Sequence, residues 1–171
     1  MTQSKESNTG ELYGTVAIRE NRLERWPNPR PERPYLISLD IPEFTCLCPR
    51  SGFPDFALVK IRYQPKDWIV ELKSLKLYIN GYRDRHISHE AAANQILDDL
   101  VALLEPRWMR VVADFNVRGN IKTVVRVEYG VRERLSGESL GAGQVEDRSA
   151  EDQSPAGAAL VEQSAVSSEQ R

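Results

Sequence analysis

The stretch DFALVKIRY, residues 55–63, decides the fold class of this 171-residue chain. Its apolar and polar residues alternate, so that Ala57, Val59, Ile61 and Tyr63 lie on one face. A period of two is typical of a β-strand that is buried on one side. The stretch therefore predicts a strand whose apolar face covers a core.

Strand patterns also occur on both sides of this stretch. Residues 34–47 read as a strand that is interrupted or bulged at Pro42, because proline cannot donate to a sheet ladder. Residues 64–67 read as a turn, and residues 68–72 are predicted to return as the hairpin partner of 55–63.

Helical spacing replaces the alternation after residue 73. Residues 74–85 carry an apolar stripe of Leu75, Tyr78, Ile79 and Tyr82. A second stripe runs through residues 88–106 and comprises Ala93, Ile96, Leu97, Leu100, Val101 and Leu104. Ser88 is suited to cap the start of this second helix, and Pro106 follows its last turn.

Two further strands follow, at residues 109–117 and 121–129, and residues 118–120 are predicted to join them as a tight turn. Along the first of them, Met109, Val111, Ala113, Phe115 and Val117 share a face, and along the second Ile121, Val125, Val127 and Tyr129 do so. The order is strand, strand, helix, helix, strand, strand. It predicts an α+β domain in which an antiparallel sheet carries two helices on one face. The unpaired sheet edges predict an oligomer.

Composition sets the domain limits and excludes several classes of protein. Residues 135–171 hold seven acidic residues against two arginines and no aromatic residue, so we expect a disordered acidic tail. Residues 1–33 are predicted to be a partly disordered arm, which leaves residues 34–134 as the folded domain. No apolar run is long enough to span a membrane and the polar start is unlike a signal peptide, so a cytoplasmic protein is expected. Residues 1–134 have a net charge of only +3, which argues against nucleic acid as a partner.

The chain has two cysteines, Cys46 and Cys48, and three roles are open to them. Together with His86 and His89 they have the residue types of a zinc site, although the spacing of the cysteines is shorter than structural sites use. Cys46 is best explained as a small packed residue. Cys48 ends a predicted strand before an accessible loop, where a nucleophile could be activated by Asp55 across the loop.

Two charged segments have both a structural and a functional interpretation. Glu90, near a helix start, either stabilises the helix dipole or accepts two parallel N–H bonds from a guanine-like ring edge. Glu71, Lys73 and Lys76 either form a solvated helix face or present two ammonium groups to phosphate. No G-x-G-x-x-G motif is present, so a Rossmann nucleotide site is not expected.

Three segments, FTCLCPRSGFPDFA at 44–57, VELKSLKLY at 70–78 and HISHE at 86–90, together resemble one family. They are similar to the short, single-module NADPH-dependent 7-cyano-7-deazaguanine reductases of queuosine biosynthesis. The family signature E-[SL]-K-[SA]-x-K-x-[YW] is met by residues 71–78, and the resemblance covers about residues 34–130. It implies a tunnelling fold in which subunits close their sheets into a barrel, active sites between subunits, and two stacked pentameric rings.

The resemblance also implies roles for individual residues. Cys48 is the expected nucleophile, Asp55 the proton donor and His89 a further catalytic residue. The expected substrate-binding residues are Val70, Glu71, Leu72, His89 and Glu90. The expected NADPH-binding residues are Lys73, Ser74, Lys76 and Arg118, of which Arg118 lies in a segment that usually reads R-G-G and here ends in Asn120.

The implied reaction is the reduction of the nitrile of 7-cyano-7-deazaguanine to an amine through a covalent thioimide on Cys48, with no metal ion. The alternative function is a zinc-dependent cyclohydrolase of the same fold that acts on a purine or pterin. A third class is an oligomeric binding module for a purine-like ligand. Stoichiometric zinc in the purified protein favours the cyclohydrolase, and an adduct on Cys48 excludes the other two.

Overall fold

The computed structural model describes residues 11–135. The disorder predicted for residues 1–10 and for the tail from residue 136 onward lies outside the described residues. The helices are α1 (Tyr13–Glu20), α2 (Leu72–Asn80) and α3 (His89–Leu104). The strands are β1 (Arg25–Pro27), β2 (Ile37–Leu47), β3 (Pro54–Gln64), β4 (Trp68–Val70), β5 (Trp108–Phe115) and β6 (Val124–Gly130).

The main sheet has four antiparallel strands in the order β2-β3-β5-β6. Residues 55–63 therefore lie in the middle of the sheet, as their buried face requires. The register between β2 and β3 shifts between Ile41 and Phe44, which confirms the bulge predicted at Pro42. Strands β2 and β6 are the two edges of this sheet.

One face of the sheet and two helices share a single core. Its central strand β3 contributes Ala57, Val59, Ile61 and Tyr63, each no more than 2% exposed. The same buried cluster includes Leu75 and Ile79 of α2 and Ile96 and Leu100 of α3. The prediction of an antiparallel sheet with two helices on one face is confirmed, because both helices pack on the apolar face.

The predicted pairing of residues 68–72 with 55–63 is wrong. Strand β4 pairs instead with β1, with Trp26 opposite Ile69, in a separate two-stranded sheet. A strand has only two edges, and both edges of β3 are occupied, by β2 and β5. Asn28 holds the turn between β3 and β4, since its side-chain amide donates to the carbonyl oxygen of Lys66 at 2.7 Å.

Several element limits also differ from the predictions. Helix α2 begins at Leu72 and ends at Asn80, whereas the apolar stripe predicts a helix over residues 74–85. The arm, which the sequence predicts to be partly disordered, contains α1 and β1. Val117 and Ile121, expected on apolar strand faces, lie beyond β5 and β6 and are 63% and 68% exposed.

The β5–β6 connection turns at Gly119 and Asn120, as predicted. Both residues have positive φ, and the backbone N–H groups of Arg118 and Ile121 donate to each other's carbonyl oxygens. Positive φ at both central positions defines a type I′ turn, which Gly and Asn tolerate. This turn, the β2–β3 loop and the start of α3 lie at one end of the sheet. No helix within residues 11–135 is long and apolar enough to cross a membrane.

Candidate active site

Cys48 lies in the β2–β3 loop, residues 48–53, which we call the Cys48 loop. Two backbone hydrogen bonds of 2.9 Å close this loop, one from Cys48 N to Phe53 O and one from Gly52 N to Cys48 O. Gly52 has φ of +71°, a conformation that a side chain disfavours, so glycine is needed there. The loop leaves the Cys48 side chain partly exposed and open to a ligand.

The surroundings of Cys48 favour its thiolate. The pKa of Cys48 is lowered from 9.0 to about 7 by the hydroxyl group of Ser51, by the backbone N–H groups of Ser51 and Arg50, and by the Arg118 charge. The lowered pKa favours the thiolate near neutral pH, and the thiolate is the nucleophilic form of cysteine.

Cys46 has the opposite environment. Its side chain is completely buried in the core, and burial raises its pKa to about 11. The interpretation of Cys46 as a packed residue is confirmed. Among residues 11–135, no three histidine, cysteine or acidic side chains are arranged to hold a metal ion.

Asp55 is a buried carboxylate, 6% exposed, near the start of β3. One of its oxygens accepts a hydrogen bond from the guanidinium group of Arg118. The other, Oδ2, lies 3.3 Å from Nε2 of His89. Asp55 therefore joins the β5–β6 turn to the first residue of α3, and two of the predicted catalytic residues, Asp55 and His89, are in contact.

Helix α3 positions the His89 ring. Ser88 caps this helix, because its hydroxyl oxygen accepts from the backbone N–H of Ala91 at 3.2 Å. The ring of His89 lies on that of Phe115, with centroids 3.7 Å apart. The next residue, Glu90, is exposed, and no described residue hydrogen-bonds or ion-pairs with its carboxylate. Glu90 is therefore available to a ligand beside His89.

The other predicted substrate-binding residues lie elsewhere on the chain. Val70 is buried at the end of β4. Glu71 caps α2, since its carboxylate accepts from the backbone N–H groups of Lys73 and Ser74 at 2.9 and 2.6 Å. Leu72, in the first turn of α2, is 61% exposed. Each contact of the Glu71 carboxylate is thus with its own helix, and none is with Cys48, Asp55 or His89.

The predicted cofactor-binding residues of α2 line two clefts on either side of the helix. Lys73 and Ser74 line a cleft of about 460 Å³ beside α1, and Lys76 lines one of about 490 Å³ beside β2. Neither ammonium group forms an ion pair within the described part of the chain, so both suit a phosphate group. Ser74 is buried, and its hydroxyl donates to Glu71 O and accepts from Glu24 N.

Arg118 and Ser51 form contacts that sequence reasoning does not foresee. The resemblance assigns Arg118 to the cofactor, whereas its guanidinium group contacts Asp55 and donates to the Ser51 hydroxyl at 2.8 Å. Ser51 is absent from the predicted site. A hydroxyl residue three positions after a cysteine and before a glycine is the signal that could have found it, because such a loop returns its side chain toward its own start.

Residues 54–134 match the family described as QueF-like protein. Curated relatives that are 54–62% identical to this chain carry the name NADPH-dependent 7-cyano-7-deazaguanine reductase. That of Prochlorococcus marinus (strain MIT 9313) is 57% identical over 132 residues, which are 77% of this chain and 96% of the relative. That of Aquifex aeolicus (strain VF5) is 62% identical over 115 residues, which are 67% of this chain and 89% of the relative.

A solved structure has a similar fold. It is the crystal structure of the archaeosine synthase QueF-Like in the apo form, and it is 24% identical in sequence to this chain. The superposition has a TM-score of 0.54 and covers 60% of this chain and all of the other one. At this identity the likeness concerns the fold.

Proposed function

The chain belongs to the NADPH-dependent 7-cyano-7-deazaguanine reductase family, and from this premise we propose that it reduces the nitrile of 7-cyano-7-deazaguanine to 7-aminomethyl-7-deazaguanine for queuosine synthesis. One observation carries the proposal. Cys48, with a pKa lowered to about 7, lies at the same end of the sheet as the Asp55–His89 pair. A nucleophile and a proton donor are the two groups that the first step needs.

In the first step the Cys48 sulfur forms a bond to the nitrile carbon. One π bond of the C≡N group breaks, and its electron pair moves to the nitrogen. The proton that Cys48 gives up reaches this nitrogen through the Asp55 carboxylate, which neutralises the charge and gives a thioimide. His89, 3.3 Å from Asp55, is placed to supply that carboxylate with the protons of the later steps. Covalent attachment divides one difficult addition into easier steps.

NADPH supplies hydride when bound, and two equivalents are needed to convert a nitrile into an amine. The exposed Lys73 and Lys76 are suited to hold its phosphates, because they are the ion-pair-free cations of α2 within the described residues. Ser74 fixes the start of that helix. Arg118 is the remaining candidate for a contact with NADPH. After the first reduction the Cys48 sulfur leaves, and His89 supplies protons to the nitrogen.

Recognition of the base is assigned to Glu90. Its carboxylate accepts the two adjacent N–H donors of the guanine-like edge, which distinguishes this base from those without such an edge. Val70, Glu71 and Leu72 complete the site from the neighbouring subunit. A position on the neighbouring subunit explains why these residues lie apart from Cys48, Asp55 and His89 within a single chain.

Assembly follows from the sheet edges. Strands β2 and β6 are the outer strands of the main sheet, although Leu47 at the end of β2 is bridged to His86. Edge-to-edge pairing of copies along the rest of these strands would close a barrel with active sites between subunits. The proposal includes the tunnelling fold and two stacked pentameric rings. Analytical ultracentrifugation of the full chain tests this stoichiometry.

The decisive experiment is NADPH oxidation with 7-cyano-7-deazaguanine, in which two NADPH are consumed per amine formed. Intact mass spectrometry without NADPH should show addition of the nitrile to the native protein and to Cys46→Ala. Cys48→Ala should show neither addition nor turnover. An adduct that remains in Cys48→Ala would show that Cys48 is not the nucleophile, and a reaction that requires stoichiometric zinc would favour the cyclohydrolase.

A further inference from the structure

Arg118 connects the Cys48 loop with Asp55. Its Nη1 donates to Oδ1 of Asp55 and its Nη2 to Oγ of Ser51, the latter at 2.8 Å. The same guanidinium group lies 5.8 Å from the ring centroid of Phe53. Asp55 is 6% exposed and is fixed at the start of β3, so this buried carboxylate sets the orientation of a guanidinium group that is itself 40% exposed.

The hydroxyl group of Ser51 has one proton and two acceptor positions. Arg118 donates to the oxygen at 2.8 Å, and the backbone N–H of Phe53 donates to it at 3.4 Å. Both acceptor positions are thus used by groups other than Cys48. The remaining proton is the one that can be directed toward the Cys48 sulfur.

We propose that Ser51 and Arg118 are positioning residues, which direct the Ser51 proton onto the Cys48 sulfur and keep that sulfur ready to attack the nitrile. The observed hydrogen bonds run from Asp55 through Arg118 to Ser51, and the proposed bond extends them from the Ser51 hydroxyl to the Cys48 sulfur of the same loop. This role rests on the proposed function in one respect only, namely that Cys48 is the nucleophile.

Charged and titratable groups face Cys48 from every neighbouring element. Arg50 lies in the same loop, and Arg118 comes from the β5–β6 turn. His86 approaches from the segment before α3, with its Nε2 3.9 Å from the position of a Cβ on Gly52. From α3, His89 reaches the carboxylate of Asp55 on β3.

Among these groups, Asp55 is the negative charge that Arg118 compensates. Asp55 raises the pKa of the neighbouring Cys46 through its charge, in addition to the effect of burial. Without Arg118, the same charge would act on Cys48 uncompensated and would disfavour its thiolate. Arg118 therefore has an electrostatic effect on Cys48 besides its hydrogen bond to Ser51.

The positioning role and a cofactor-binding role of Arg118 predict different results. A residue that only holds NADPH changes the KM for NADPH and leaves the unliganded thiol unchanged. A residue that orients Ser51 changes the titration of Cys48 when neither ligand is present. The side chain of Ser51 is hydrogen-bonded to Arg118. Replacing Ser51 should therefore change the titration of Cys48 in the same way.

The test is the pH dependence of iodoacetamide alkylation of Cys48 in the full-length protein, without NADPH or nitrile, quantified on the Cys48 peptide by mass spectrometry. In the native protein, the pH at which the alkylation rate is half of its maximum, the midpoint, is expected near 7. In Ser51→Ala and Arg118→Gln it should rise by about one pH unit, the scale on which a single hydrogen bond or charge shifts a pKa. Ser51→Thr retains the hydroxyl group and should restore the native midpoint.

Arg110→Gln is the matched control, because Arg110 forms an equivalent ion pair with Glu128 on the sheet, at 2.7 Å, away from Cys48. Its midpoint should equal that of the native protein. The circular dichroism spectrum and Tm of each variant establish that it is folded. Unchanged midpoints in folded Ser51→Ala and Arg118→Gln overturn the inference, and so does a rise in Arg110→Gln of the same size.

This measurement separates the inference from the proposed function. Alkylation needs neither NADPH nor the nitrile, so a raised midpoint in Ser51→Ala supports the positioning role whether or not the protein reduces the nitrile. If the native protein is active and the midpoints do not move, only the positioning role fails.

Discussion

The imidazole ring of His89 lies nearly parallel to the ring of Phe115, at an interplanar angle of 11° and a centroid distance of 3.7 Å. Phe115 is 1% exposed and closes the core at the end of β5, so the plane of the histidine ring is fixed by a rigid neighbour. In that plane Nε2 lies 3.3 Å from Oδ2 of Asp55. Proton exchange between these two groups therefore requires no side-chain rearrangement.

The first prediction concerns His89→Gln. The variant retains a hydrogen-bond donor but cannot carry a proton between steps, so the thioimide should form on Cys48 and then accumulate. General acid–base catalysis contributes about 10²- to 10⁴-fold, and NADPH oxidation should slow by a factor in that range. Intact mass spectrometry and steady-state kinetics measure the two quantities. His86→Gln changes the other histidine of the chain and is expected to have little effect; equal turnover in both variants would contradict a catalytic role for His89.

The second prediction is that Glu90→Ala weakens substrate binding and leaves NADPH binding almost unchanged. A hydrogen bond to a charged group contributes about 1.5–3 kcal/mol, so the Kd for 7-cyano-7-deazaguanine should rise at least about tenfold. Calorimetric titration of each ligand in a Cys48→Ala background avoids turnover. Asp98→Ala removes another exposed carboxylate from α3 and is the control. An equal loss of affinity for both ligands, or no loss of affinity for either, would mean that Glu90 does not recognise the base.

The third prediction separates the two roles of Glu71. Its carboxylate caps α2, and the hydrogen bonds from the backbone N–H groups of Lys73 and Ser74 lower its pKa. Glu71→Ala should lower Tm by about 2–5 °C, the usual effect of losing a cap. Glu71→Ser supplies another good cap and should restore most of the Tm.

Activity then decides whether the Glu71 carboxylate also contacts the substrate. If it does, Glu71→Ser has nearly the Tm of the native protein, but its KM for the nitrile is higher than the native value. A Glu71→Ser variant with native kinetics would assign Glu71 to helix capping alone.

The local features of this fold could be predicted from the sequence, and the non-local ones could not. Alternation along 55–63 and the stripe along α3 are set by which side chains face the core, and both patterns are visible in the sequence. The partner of β4 is decided by the strands that already occupy both edges of β3, which no local pattern records. Strand β4 instead reaches back to Trp26 and its neighbours in β1, with β2 and β3 lying between them along the chain.

The candidate site divides in the same way. The motifs single out Cys48, Asp55 and His89 as catalytic candidates, and the structure places Asp55 and His89 in contact. The contact of Arg118 with Asp55 joins residues 63 positions apart, and it depends on how the β5–β6 turn meets the Cys48 loop. Such a contact exists only in the assembled sheet, so sequence reasoning assigned to Arg118 only the role that its motif suggests.

The last prediction concerns Cys46 and alkaline pH. The pKa of Cys46 is 9.0 without burial and about 11 in the folded protein, so the folded state disfavours its thiolate. Between pH 9 and pH 11 the unfolded chain has lost this proton while the folded chain keeps it. Because the unfolded state then binds fewer protons, the free energy of unfolding must fall as the pH rises through this window. Below pH 9 the thiol is neutral in both states and has no such effect.

Between pH 8 and pH 10.5 this one group should reduce the free energy of unfolding by about 2 kcal/mol. Urea unfolding at a fixed protomer concentration, since an oligomer's stability depends on it, measures the change at each pH. Tyr63, whose pKa burial raises to about 12, adds to the loss at high pH, but it is present in Cys46→Ala as well and cancels in the difference. The variant should be less stable than the native protein at pH 8, and that gap should narrow or reverse by pH 10.5. A stability difference that stays constant from pH 8 to pH 10.5 would show that the Cys46 thiol titrates alike in the folded and unfolded states. That result would contradict the prediction, which rests on the complete burial of Cys46 beside Asp55.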